Sequence, residues 1–126
     1  MERGGNIVKE KAFEFAVRMV NAYKFLNKEQ KEFVLSKQML RSGTAIGALI
    51  CESEYAQSKP DFISKLSIAL KEANETEYWI RLLKESGYIT VQSFESVVAD
   101  CKELIKLLIS IINSTKKSIS KNSNNC

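Results

Sequence analysis

Glu72 and Glu75 stand three residues apart, a spacing that puts two carboxylates on one face of a helix. Acids so placed can serve proton transfer, metal ligation or pairing with a guanidinium. Arg41 offers that guanidinium. In an antiparallel hairpin turning near Gln57, Arg41 lies 16 residues before the turn and Ala73 lies 16 after it, which brings either acid within reach. Glu52 can join the same network. A register-setting ion pair, inside one bundle or between subunits, accounts for these residues better than a ligand site. A lone buried charge is costly, whereas a paired one fixes geometry.

The rest of the catalytic repertoire is thin. The chain has no histidine, which removes the commonest general base and the His-containing di-iron pattern of helical bundles. Two acids alone make a weak metal site. Gly4-Gly5 precedes no strand, so it is read as a flexible start rather than part of a nucleotide fingerprint. Cys51, Cys101 and Cys126 form no CxxC pair. The first two are expected in the core, because free Cys packs as a small hydrophobe, and Cys126 ends a polar tail. Asn74-Glu-Thr and Asn113-Ser-Thr match glycosylation acceptors by chance, since both fall in helices. No catalytic residue, cofactor or metal site is predicted, and the chain is not expected to be an enzyme.

Charge gives the direct hint about a partner. The net charge is +4 and the isoelectric point is near 9.0, modest values for one chain. Candidate phosphate contacts are Lys9, Lys11, Arg18, Lys24, Lys28, Lys31 and Lys37 on the first helical hairpin, with Lys116, Lys117 and Lys121 near the C-terminus. They alternate with Glu10, Glu14, Glu29 and Glu32, and mixed signs of this kind mark an ordinary solvated face. Tyr23 and Phe25 could stack on bases, although Tyr23 suits the core.

Helices must position all of these groups. Val8, Ala12, Phe15, Met19, Tyr23 and Leu26 return to one face of a first helix, about residues 7–26. Asn27, with Gln30 three residues on, reads as the N-cap of a second helix from Lys28 to about Tyr55. That helix carries Phe33, Val34, Met39, Leu40, Ile46, Leu49 and Ile50. Gly43 and Gly47 interrupt it at a cost of about 1 kcal/mol each relative to Ala, which implies a neighbouring helix packed too closely to admit side chains. Ser58 caps a third helix to about Glu85, aided by Pro60 and Asp61. Gly87 ends it in a left-handed conformation. Thr90 caps a fourth helix whose Phe94, Val97, Val98, Cys101, Leu104, Ile105, Leu108, Ile111 and Ile112 follow heptad-like spacing.

Leu107 and Ile109 fall off that stripe and are the candidate oligomer interface. Short loops make an all-α, antiparallel up-down-up-down four-helix bundle the simplest solution. The bundle domain is set at residues 1–114, and residues 115–126 are read as a polar flexible tail. The start lacks the apolar core of a signal peptide, and no segment is apolar enough to span a bilayer. A cytoplasmic protein with no membrane partner is expected.

Gln38, Arg41-Ser42-Gly43-Thr44, Ile46-Gly47-Ala48, Glu52, Gln57-Ser58, Asp61-Phe62-Ile63 and Ile68 through Thr76 running into Tyr78-Trp79 carry a resemblance over about residues 7–112. The chain resembles the four-helix-bundle proteins of intervening sequences in bacterial large-subunit ribosomal RNA genes. That family is similar to the accessory protein of diversity-generating retroelements, a homopentameric barrel that associates with a reverse transcriptase and nucleic acid. The resemblance implies a homopentamer here, whose five copies would carry +20 in all. Ala45 and Leu49 stand where the family usually shows Ser and Asn, and the change reads as a drier helix interface. Two functions remain in view: a non-enzymatic homo-oligomeric scaffold that recruits a protein partner, and an electrostatic RNA- or DNA-binding accessory that works with a reverse transcriptase.

Overall fold

The computed structural model describes the backbone of residues 3–124, and side-chain surroundings for residues 7–121; Cys126 lies outside the described residues. Four helices follow one another: α1 (Arg3–Lys28), α2 (Leu35–Ser53), α3 (Lys59–Glu85) and α4 (Val91–Asn124). Each packs on the next, and α4 packs back on α1, so the up-down chain closes into a four-helix bundle. Val8, Ala12, Phe15, Met19 and Leu26 of α1 meet Met39, Ile46 and Ile50 of α2 in the core. Leu66, Ala69, Ala73, Ile80 and Leu83 of α3, with Cys101, Leu104, Leu108 and Ile112 of α4, complete it. These are the periodic positions of each helix, spaced three or four apart so that one stripe leaves water.

Local chemistry explains most helix ends. Ser58 is the N-cap of α3, its side chain accepting from the backbone N–H of Asp61 at 3.1 Å. Thr90 Oγ1 likewise accepts from the Ser93 N–H at 3.0 Å. Gly87 has φ +84°, and the N–H groups of Gly87 and Tyr88 donate to the carbonyls of Lys84 and Leu83. This is the paired closure that a left-handed residue after a helix permits.

The start of α2 corrects the sequence reading. Asn27 does not cap it; α1 continues through Asn27 to Lys28, and α2 begins only at Leu35. The cap is Glu32, whose carboxylate accepts from the backbone N–H groups of Val34, Leu35 and Ser36 at 3.0, 2.8 and 2.7 Å. Asn27 instead accepts from Ser36 Oγ at 3.2 Å. Lys31 takes φ +56° in the connecting turn. Phe33 and Val34, expected within the second helix, precede it and are 57% and 71% exposed.

Two further ends differ. Gly4 and Gly5 are helical residues of α1 rather than a flexible start. The fourth helix does not stop at Ser114 but runs to Asn124. Thr115 Oγ1 donates to the Ile111 carbonyl, Ile119 is half-buried, and Lys59 Nζ donates to Ser118 Oγ at 2.6 Å. The Lys59–Ser118 bond ties these last turns to the start of α3.

Candidate functional site

Exposed apolar residues include a run on one side of α1. Phe13, Val17 and Val20 are 69%, 45% and 38% exposed. Their i, i+4, i+7 spacing forms a second stripe beside the buried one. Next to it, a groove of about 550 Å³ runs between α1 and α2, lined by Lys9, Glu10, Phe13, Ala16, Thr44, Gly47, Ala48 and Cys51. Small residues make the floor and Phe13 stands at the rim. Cys51, expected in the core, is exposed here. Cys101 is buried and its thiol donates to the Ala73 carbonyl at 3.3 Å. Burial pushes that thiol up to about 12, with Glu77 and Asp100 adding to the shift.

The two glycines sit differently in this seam. A Cβ on Gly43 would stand 2.5 Å from Met19 Cγ and 2.7 Å from its Sδ, inside van der Waals contact. A Cβ on Gly47 would lie 3.5 Å from the Ala12 carbonyl oxygen and 3.6 Å from its Cβ, an ordinary separation. Gly43 therefore sets how closely α1 and α2 approach. Gly47 opens the groove floor.

On the opposite side of α2, Arg41 reaches α3. Its guanidinium donates to Glu72 Oε1 at 3.3 Å and to Glu75 Oε2 at 2.5 Å. Trp79 Nε1 donates to the same Glu75 oxygen at 3.0 Å. Glu75 is held below the usual carboxylate range, first by the Trp79 indole and then by Arg41. Arg41 is raised, chiefly by its bond to Glu75. Beneath this cluster the buried Thr76 Oγ1 lies 2.7 Å from Ser42 Oγ and 2.8 Å from the Glu72 carbonyl, a hydroxyl link between the two helices. Glu52 joins no ion pair among the described residues, because it lies three turns along α2 from Arg41. The Arg41 side chain is half exposed, so Arg41→Leu is expected to cost about 1 kcal/mol or less, read by denaturant unfolding. A loss several times larger would place the cluster inside a subunit interface.

The candidate phosphate contacts divide into two sets. Lys9 pairs with Glu54 at 3.0 Å, Lys11 with Glu103 at 3.3 Å and Arg18 with Asp100 at 2.6 Å. Arg18 also donates to Ser96 Oγ. These three stitch helices together. Lys24, Lys28, Lys31, Lys37, Lys116, Lys117 and Lys121 are exposed and enter no salt bridge among the described residues. Tyr23 is half-buried and Phe25 is 45% exposed. Leu107 is half-buried and packs against the core of its own chain. Ile109 is 43% exposed.

Sequence reasoning missed Glu32 and the Phe13 stripe. An acid three residues before the first residue of a helix, and a second apolar series at 13, 17 and 20, were the signals present. Among the described residues, no group of three or more acidic, Cys or His side chains is placed to hold a metal ion. No helix is long and apolar enough to cross a membrane.

No curated protein matches the chain. A crystal structure from Bacteroides thetaiotaomicron, described as a protein of unknown function from the S23 ribosomal protein family, is 64% identical. It superposes with a TM-score of 0.86, covering 87% of this chain and 98% of that one. Residues 5–110 match the family model of the 23S rRNA-intervening sequence protein. The packed Arg41–Thr76 segment and the α1–α2 seam both lie within that span, and the chain belongs to the 23S rRNA-intervening sequence protein family.

Proposed function

We propose that this chain is a non-enzymatic homo-oligomeric scaffold, assembled as a closed ring of five, that presents a surface to a protein partner such as a reverse transcriptase. The observation that carries this reading is the uncovered apolar face formed by Phe13, Val17, Val20 and the α1–α2 groove. A contiguous apolar face of this kind marks an interaction surface. Charge suggests that a second copy covers it. Glu10 and Glu14 lie toward the start of α1, and Lys24 and Lys28 toward its end. Exposed Glu95, Lys102 and Lys106 follow the reverse order along α4, which runs antiparallel to α1. Subunits standing side by side therefore oppose unlike charges when α1 of one copy meets the outer face of the next α4, where Ile109 is exposed.

That pairing uses two different patches, and such heterologous contacts close rings. The outward directions of adjacent helices in a square bundle differ by roughly 90–130°, depending on how far the face leans toward α2, which suits a small ring. The non-enzymatic part of the proposal rests on the absence of histidine from the chain and on the protonated, buried Cys101 thiol. Sedimentation velocity and native mass spectrometry test it. The native protein is expected at five times the 14.3 kDa chain mass, and Phe13→Glu is expected at the chain mass with helicity unchanged. A wild-type monomer at micromolar concentration would overturn the proposal.

A further inference from the structure

The charge of the chain is not spread along it. Of the 19 Lys and Arg residues, all but Lys106, Lys116, Lys117 and Lys121 precede residue 104, and all 15 Asp and Glu residues do so as well. Residues 1–103 therefore carry 15 charges of each sign and cancel. The whole net charge of +4 falls on residues 104–126, three of the four charges being Lys116, Lys117 and Lys121. Ion pairs reinforce the division. In the neutral part Lys9, Lys11, Arg18, Arg41, Lys65, Lys84 and Lys102 each bond an acid. Asp61 and Glu54, at the same end of the bundle, are engaged by Lys65 and Lys9. Lys59 adds to the cluster, because its bond to Ser118 holds a fifth ammonium against the arm.

We propose that the last turns of α4, with Lys116, Lys117 and Lys121 and the neighbouring Lys59, form a docking arm for the phosphodiester backbone of a nucleic acid. Lys117 and Lys121 are one turn apart and flank Ser118 on the same side of the helix. Exposed Ser114 and Ser120 add hydroxyl donors of the kind that bond phosphate oxygens. An interfacial membrane helix would instead need an exposed apolar face. Between Asn113 and Lys121 the large apolar residue is Ile119 alone, and it is half-buried. Nothing in the arm reads base edges, so recognition is of charge and spacing rather than sequence. The proposal stands apart from the assembly reading, although a ring would set several arms at one end.

Titration of the nuclease-treated full chain into labelled single-stranded RNA and duplex DNA at several salt concentrations tests it. The logarithm of the binding constant is expected to fall linearly with log salt. Lys116→Gln/Lys117→Gln/Lys121→Gln is expected to weaken binding at least tenfold near 0.1 M salt and to flatten the slope by about two to three. Lys28→Gln/Lys31→Gln/Lys37→Gln, with the same charge change at the other end of the bundle, is expected to weaken it less than threefold. Equal losses in the two triple variants, no binding at low salt, or binding to phosphatidylserine vesicles without binding to nucleic acid would each overturn the proposal. Native mass on the same samples separates this result from the assembly reading. Should the arm variant change mass, Lys121→Gln alone, at the outer end of the arm, is expected to show a slope flattened by about one.

Discussion

Glu32→Ala is expected to lower the unfolding free energy by about 2–4 kcal/mol, measured by urea denaturation at fixed protein concentration. One carboxylate satisfies three backbone N–H groups at the start of α2, and the residue that precedes this helix, Val34, offers no side-chain cap of its own. The acid is buried, as is Ser36, so a lost partner leaves the Ser36 amide without water. A carboxylate is also the favoured charge at the positive end of a helix. Burial alone would raise the Glu32 pKa, yet bonds from Leu35, Ser36 and Val34 outweigh it and hold the group below its usual value. The sign of the pH dependence follows. A depressed folded pKa gives stability that is present above the unfolded value of about 4.5 and lost as pH falls through the folded value. Glu75 acts in the same direction. Glu32→Gln is therefore expected to flatten the acid limb of the stability profile below about pH 4.5, while removing stability at neutral pH.

Gly43→Ala and Gly47→Ala are expected to move stability in opposite directions. The first drives a methyl into Met19, which is fully buried, and overpacking of this kind costs about 1–3 kcal/mol even after a flexible Met yields. The second places a methyl at ordinary contact distance from Ala12 and recovers up to about 1 kcal/mol of helix propensity. Thermal unfolding of the two single variants checks the pair. Gly47→Ala also raises the groove floor, so its gain in chain stability is expected to coincide with weaker self-association.

The parts of the bundle that follow from a few adjacent residues were legible. Ser58, Asp61 and Pro60 define the start of α3 within four positions, and Gly87 and Thr90 bracket the next turn, because each acts on backbone groups one turn away. The approach of Arg41 to Glu72 and Glu75 was legible as well, since short loops fix hairpin register. Asn27 misled because a capping residue is recognised by type, whereas its amide here is spent on a hydroxyl nine positions on. Glu32 was hidden among acids that alternate with lysines, and only the turn at Lys31 aims its carboxylate back at α2. Phe13 belongs to an amphipathic helix whose buried stripe already accounts for its apolar residues, so a second stripe is visible only once the first is seen to be filled. The same holds for charge. Lys9, Lys11 and Arg18 look equivalent to Lys117 in a sequence, and separate only when their acids are found across α2 and α4.

The seam between α1 and α4 differs in kind from the other three. Successive helices meet through turns of a few residues, but Arg18 and Asp100 are 82 positions apart. Closing that seam confines most of the chain at once, and the entropy of so large a loop is recovered only when the first and last helices find each other. The early hairpins carry local contacts and can form on the microsecond to millisecond scale of low contact order, whereas the terminal helices dock last. Because two ion pairs, Lys11–Glu103 and Arg18–Asp100, span that final joint, ionic strength acts on the closing step of folding.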